Sequence, residues 1–186
     1  MAFTHVVGVD DFPFDRAHRG DVPVVGAVFS GLRLDGIVAS RVRRDGANAT
    51  RAITRMLGES KFAPQLQLVL LQGIALAGFN VVDVPALADA LALPVLVVAR
   101  RAPRLDVIRD ALLARVPGGR RKWRLIERLG PMEPVAGVWI QRAGLTRAEA
   151  ERVVTRLAVH GHIPEPLRVA HLVAGGLGRG ESRGRT

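Results

Sequence analysis

The chain of 186 residues contains no cysteine. That excludes disulfides, thiolate metal sites and a cysteine nucleophile, so any metal must be held by carboxylate, imidazole or amide oxygen. Lysine is nearly absent too: Lys61 and Lys122 are the only two, and arginine carries almost all of the positive charge behind a net +10. No Walker-type phosphate loop, no Gly-x-Gly-x-x-Gly behind a strand and no Gly-x-Ser-x-Gly elbow occurs, so the common nucleotide-binding and serine-hydrolase signatures do not apply. The start, MAFTHVVGVDD, lacks a basic stretch followed by an apolar one, so no secretory leader is expected and the expected location is cytoplasmic. Residues 62–82 carry no formal charge, which raises a membrane span. Pro64, three glutamines, Gly73, Gly78 and Asn80 interrupt that stretch, and Asp83 follows it. A buried strand plus a turn fits better, and no membrane association is expected.

What is present is the composition of a soluble globular protein, 48% hydrophobic and 24% charged, without low-complexity tracts. One domain with a sizeable core is expected over 1–177, with a basic Gly/Arg-rich tail at 178–186. The positive balance favours an anionic partner, nucleic acid ahead of an anionic membrane. An Arg- and Ala-rich chain also follows from a GC-rich coding bias, so the charge supports this reading without carrying it.

The apolar pattern gives a first strand over His5–Asp10, a second over Val22–Ser30 and a third over Leu32–Arg43, the last two joined tightly at Ser30-Gly31. Asn48 is placed to cap a helix over Ala49–Gly58, with Ala49, Ile53, Met56 and Leu57 on one face. Leu66–Leu71 reads as a fourth, fully buried strand, ending at Gln72-Gly73 and passing through Gly78-Phe79-Asn80 into a helix-like segment. A helix over Val84–Leu91 and a fifth strand over Pro94–Ala99 follow. Beyond it come an amphipathic helix over Leu105–Val116, a basic loop over Gly118–Arg124, a short strand over Val135–Gln141, a Thr146–Glu149 capping box and a last helix over Leu167–Leu177. Short links among the first three strands imply antiparallel neighbours, and later crossovers imply parallel ones. The expected fold is therefore α/β: a ribonuclease H-like mixed five-stranded sheet flanked by helices, with additional C-terminal helices.

Several residues in this frame can carry chemistry. Asp10 and Asp11 end the first strand, where paired carboxylates suit Mg²⁺ shared with phosphate; an acidic cap on the following turn is the plainer alternative. Gln72 ends the buried fourth strand, a position where α/β sheets present functional groups. Arg168 and His171, three apart on the last helix, share a face and can meet phosphate, metal or water; a lone helical His is also often just a surface or core residue. His160 and His162 flank Gly161 without further ligands nearby in sequence and read as structural. Arg179, Arg183 and Arg185 can form a basic arm on a phosphate backbone or simply a charged terminus. Trp123 can stack on a base or pack its own helix.

The segments VVGVDDFPF, DGANAT, LVLLQGIALAGFNVVD, PVLVVARRAP and IPEPLRVAHLVAGGLGRGESRGR, taken in order from about residue 5 to residue 185, resemble the endonuclease dU family, which is similar to endonuclease V. The resemblance implies a ribonuclease H-like fold and metal-dependent (Mg²⁺ or Mn²⁺) phosphodiester cleavage of DNA at deoxyuridine or another deaminated base, with RNA as the alternative nucleic-acid partner. By the same resemblance Asp10 is the first-strand metal ligand and His171 the C-terminal histidine of the site. Asp11, Asn80, Asp83, Glu165 and Arg168 match typical family positions, which makes Asp83 a further metal candidate and Asn80 a nucleic-acid contact. Two departures stand out. The family usually reads Leu-Asp-Gly-Ile where this chain has Leu71-Gln72-Gly73-Ile74, and Asp-Gly-x-Asp-Ala-Thr where it has Asp45-Gly46-Ala47-Asn48-Ala49-Thr50. Each exchanges a carboxylate for an amide. Bridging carboxylates offset the repulsion of two ions about 3.5–4 Å apart, so this loss points to one ion at most, or to binding without cleavage.

Overall fold

The computed structural model describes residues 3–183. Its centre is β1 (His5–Asp11), buried from Val6 to Asp10 because the sheet continues on both sides and helices cover both faces. β2 (Asp21–Ser30) pairs antiparallel with β1, and β3 (Arg33–Arg43) pairs antiparallel with β2. The chain then forms α1 (Ala49–Gly58) and a single 3₁₀ turn before β4 (Leu68–Gln72), which lies parallel to the other side of β1. A small hairpin, β5 (Ala75–Leu76) with β6 (Asn80–Val81), leads into α2 (Val84–Leu91) and then β7 (Val95–Ala99), parallel to β4. This is the expected five-strand arrangement.

The sheet nevertheless has seven strands. After α3 (Leu105–Arg115) and α4 (Gly119–Leu129), β8 (Glu133–Val135) and β9 (Val138–Ala143) form a hairpin whose second strand adds antiparallel to β7, giving the order β3-β2-β1-β4-β7-β9-β8. The single strand expected over Val135–Gln141 is split by a two-residue turn at Ala136-Gly137, where both φ angles are positive. α5 (Arg147–Leu157) and α6 (Glu165–Arg179) complete the chain, α5 with the expected reciprocal Thr146–Glu149 capping box.

Strand alternation sorts the core into two layers. Val7, Val9, Val69, Leu71, Val95 and Val97 face α1 and α2, whereas Val6, Leu68, Leu70, Leu96 and Val98 face α5 and the start of α6. α6 continues over β2, where Ala170 and Ala174 pack on Val25, Ala27 and Phe29. Two other expectations are corrected. Gly78-Phe79-Asn80 lies in a hairpin, not at the entry of a helix. The basic stretch read as a loop is helical from Gly119 on, as the first part of α4, and of the two roles open to Trp123 it takes the packing one, against Leu112 and Ile126. No helix among the described residues is long and apolar enough to cross a membrane.

One glycine sets where α6 lies. A Cβ on Gly8, in the middle of β1, would sit 2.3 Å from the Pro166 carbonyl carbon and 2.6 Å from the Leu167 nitrogen. The first turn of α6 thus rests on bare β1 backbone, and this close approach brings the middle of the helix over the end of the strand.

Candidate active site

Asp10 ends the buried part of β1 with 4% of its surface exposed. The crossing of α6 places His171 above it, and His171 Nδ1 lies 2.9 Å from Asp10 Oδ2. The other carboxylate oxygen of Asp10 accepts from the Asp11 backbone N–H at 2.9 Å. The hydrogen bond to Asp10 raises the His171 pKa, with further help from the charges of Asp10 and Asp11, while burial and the charge of Arg100 oppose the rise. Asp11 Oδ2 accepts from the Ala77 N–H in the β5–β6 turn. Burial first, and the charge of Asp10 second, push the Asp11 carboxyl up to about 6. Two carboxylates crowded together here repel one another, and a cation beside them would relieve that repulsion.

Both carboxylates line a cleft of about 550 Å³ at the C-terminal ends of the parallel strands β1, β4 and β7, where open α/β sheets present their sites. Gln72 enters from the end of β4, Arg100 from just beyond β7, and Arg168, His171 and Arg179 from α6. Phe12, Pro13 and Phe14 form an apolar wall. Arg168 is engaged by Glu165 through a two-point contact at 2.8 and 2.5 Å, which lowers the Glu165 pKa and raises that of Arg168. Its charge is therefore largely neutralised within the protein. The segment after α6 turns back along the helix, with Ser182 Oγ donating to the Leu172 carbonyl at 2.9 Å, and Arg183 reaches the cleft while pairing with Glu181. Among the expected site residues, the structure brings together Asp10, Asp11, Gln72, Arg168, His171, Arg179 and Arg183.

Other expected residues lie elsewhere. Asp83 is the N-cap of α2, accepting from Ala86 N–H at 3.2 Å, and Arg128 pairs with it at 2.5 Å. It borders a separate cavity between α1, α2 and α4, apart from the cleft that Asp10 and His171 line. Asn80 is fully buried: its Oδ1 accepts from Ala49 N–H at 3.0 Å, and its Nδ2 donates to the Arg43 carbonyl and to Asn48 Oδ1. It ties the hairpin to the start of α1 and is closed to nucleic acid. Asn48 holds the N-cap position of α1 without capping it; its Oδ1 instead accepts from Arg43 N–H at 2.9 Å and from Asn80. The amide at 48 thus belongs to a scaffold contact and not to the cleft. Arg185 lies outside the described residues.

Arg100 and the Phe12–Phe14 wall are site features that the sequence reading did not single out. The signal for Arg100 was available, since it follows directly on the end of a parallel strand, β7, beside the strand that Gln72 ends. Among the described residues, no three His, Asp or Glu side chains form a ready metal cage. The donor set is Asp10, Asp11, the Gln72 amide oxygen and His171. With one carboxylate held by Ala77 and no third carboxylate, it fits a single hard ion that keeps several waters, and does not fit a bridged pair of ions.

A mixed sheet of this order flanked by helices is the ribonuclease H-like fold, the fold of the endonuclease V structures. The catalytic domain of human endonuclease V superposes with a TM-score of 0.60 at 18% identity, covering 92% of this chain and 81% of that one. Endonuclease V of Ciona intestinalis, in complex with a 24mer DNA containing an inosine followed by a ribo-adenosine, superposes with a TM-score of 0.56 at 13% identity, covering 90% and 83%. At these identities the likeness speaks to the fold. The family described as Endonuclease dU matches residues 2–178. A UPF0215 protein of Deinococcus radiodurans is 59% identical over 98% of this chain and 93% of its own length. A crystal structure of an Archaeoglobus fulgidus protein has a TM-score of 0.86 at 34% identity, covering 93% and 97%. The chain belongs to the endonuclease dU family, and its function is of the nuclease type.

Proposed function

We propose that the protein is a metal-dependent endonuclease that hydrolyses a phosphodiester bond in DNA next to deoxyuridine or another deaminated base. The observation that carries this reading is the Asp10–His171 pair at the floor of a cleft rimmed by Arg100, Arg179 and Arg183. Asp10 and the Gln72 amide oxygen, with Asp11 beside them, would hold one Mg²⁺ or Mn²⁺. When bound, the ion supplies positive charge for the reacting phosphate and lowers the pKa of a bound water. The arginines hold the flanking phosphates. With Nδ1 turned to Asp10, His171 has Nε2 to offer to the leaving oxygen. Phe12, Pro13 and Phe14 offer the apolar surface that an unstacked base would meet.

The test is nicking of a uracil-containing duplex in Mg²⁺ or Mn²⁺. Cleavage that disappears in Asp10→Ala and His171→Ala supports the reading; no cleavage at high protein concentration with either ion overturns it. Parallel uracil-free DNA and RNA substrates define the target. A second reading, binding without cutting, is favoured by Gln72, whose amide brings no negative charge to the ion. It expects wild-type DNA affinity that falls steeply with salt, and cleavage that appears only in Gln72→Asp. Strong cleavage by the wild type excludes it.

A further inference from the structure

The cleft does not end at Arg100. A second concavity of about 220 Å³ shares Arg100 and Ile163 with it and continues to Gly137, His160 and His162. The β7–β9 register pairs Ala99 with Trp139, so Arg100, one residue on, emerges beside Val138 and the β8–β9 turn. That turn is shaped for its neighbour. Gly137 has φ +85°, and a Cβ there would lie 2.5 Å from His162 Nδ1, so the imidazole rests directly on glycine backbone. The opposite wall is the 160–162 loop, closed by the bridge between Ala158 and Pro164 just before α6 begins. No residue lining this lobe, among those described, is acidic, while Arg100 and two imidazoles face it.

We propose that this lobe is a phosphate subsite, in which Arg100, His160 and His162 hold the nucleic-acid backbone one or more nucleotides away from the scissile bond, on the side opposite Phe12–Phe14. The inference rests on the nuclease reading of the central cleft. It assigns a binding role to two histidines that sequence spacing alone left as structural. It also gives the groove a direction, with an aromatic wall at one end, carboxylates at the centre and a cationic lobe at the other end. The chemistry asked of the lobe is sequence-independent, since imidazole N–H and guanidinium donors contact phosphate oxygens and not base edges.

The experiment measures fluorescence anisotropy of uracil-containing single strands in a calcium buffer, comparing the wild type with the double variant His160→Glu/His162→Glu. Both positions are exposed, and unchanged melting of the variant certifies its fold. A strand of about 15 nucleotides should bind roughly tenfold more weakly to the double variant, and the slope of log affinity against log salt should fall by about one contact. A trinucleotide, which fills only the central cleft, should change less than twofold. Thr155→Glu on α5 adds one negative charge away from the groove and should leave both affinities unchanged. The milder His160→Gln/His162→Gln pair should weaken the long strand by about threefold, reporting lost hydrogen bonds without charge reversal. Equal loss for the long and short strands, or no loss for either, overturns the subsite and leaves the nuclease reading standing. A wild type that binds neither strand at low salt overturns the nuclease reading, and the subsite with it.

Discussion

Replacing Gly8 by alanine tests how the site is assembled, because the only added atom would collide with backbone. The new Cβ would meet the Pro166 carbonyl carbon at 2.3 Å, its oxygen at 2.4 Å and the Leu167 nitrogen at 2.6 Å, and none of these can rotate away. Restoring ordinary contact requires α6 to lift from β1 by about 1 Å, a shift of the kind that overpacking makes costly. His171 rides on that helix, so its 2.9 Å contact with Asp10 would stretch beyond hydrogen-bonding range. Overpacking of this kind costs about 1–3 kcal/mol, occasionally more, and the collision with fixed backbone puts Gly8→Ala at the upper end. In a chain of this size that corresponds to a fall in Tm of roughly 6–12 °C. Gly26→Ala is the comparison: its Cβ would meet side-chain methyls and not backbone, Val38 Cγ2 at 2.8 Å and Val7 Cγ2 at 3.1 Å, so any loss of stability should leave the seat of α6 on β1 and the Asp10–His171 contact in place. The assays are thermal melting by circular dichroism and binding or nicking of uracil-containing DNA, run on both variants. If Gly8→Ala melts with the wild type and keeps its DNA activity, the claim that this glycine sets the position of α6 is wrong.

Three further outcomes are expected. Asn48→Asp should leave both melting and DNA activity nearly unchanged, because a carboxylate oxygen accepts from Arg43 N–H and Asn80 as the amide does. Asn80→Ala should cost about 1–3 kcal/mol in a denaturant melt, since it strips Ala49 N–H of its buried acceptor, while the Arg43 carbonyl keeps the Gly46 N–H. The Glu165–Arg168 pair should shape the acid limb of stability. Its carboxyl is depressed in the folded state, so its contribution is full above the ordinary glutamate range and is lost as pH falls through the depressed value. Glu165→Gln should therefore lower stability by about 1–3 kcal/mol at pH 7 and converge on the wild type in strong acid; a constant difference at every pH would refute the assignment.

How much of this was legible in the sequence depended on whether a signal was local. Continuous apolar runs such as Leu68–Leu71, bounded by turn residues, declared buried strands, and the Thr146–Glu149 spacing declared a helix start. The β8–β9 hairpin was missed because Val-Ala-Gly-Val offers a single glycine as punctuation, while the other turn residue, Ala136, takes a positive φ that its identity does not announce. Asp10, Asp11, Gln72 and His171, singled out by strand-end logic and by resemblance, line one cleft. Asp83 and Asn80, assigned to the site by the same resemblance, lie outside that cleft with partners in the scaffold. A motif preserves a residue whether it holds an ion or holds a loop, and only their partners, Arg128 for Asp83 and Ala49 for Asn80, separate the two cases.

The two exchanges of amide for carboxylate therefore differ in meaning. At 48 the side chain serves as an acceptor inside the scaffold, and charge is incidental to it. At 72 the side chain lines the cleft with two carboxylates, and burial, followed by the charge of Asp10, already pushes Asp11 up to about 6. A third carboxylate would add repulsion of roughly 3 kcal/mol for charges about 6 Å apart at an effective dielectric near 20. In chelator, Gln72→Asp should thus melt several degrees below the wild type. With Mn²⁺ the order should reverse, since the added charge tightens the ion and binding stabilises the fold by mass action. On the proposed metal-dependent reading, a neutral amide at 72 would spare the metal-free site this repulsion and would hold the ion less tightly. Equal melting of Gln72→Asp and the wild type in both chelator and Mn²⁺ would show that position 72 does not share the electrostatic field of Asp10 and Asp11, and would detach it from the site.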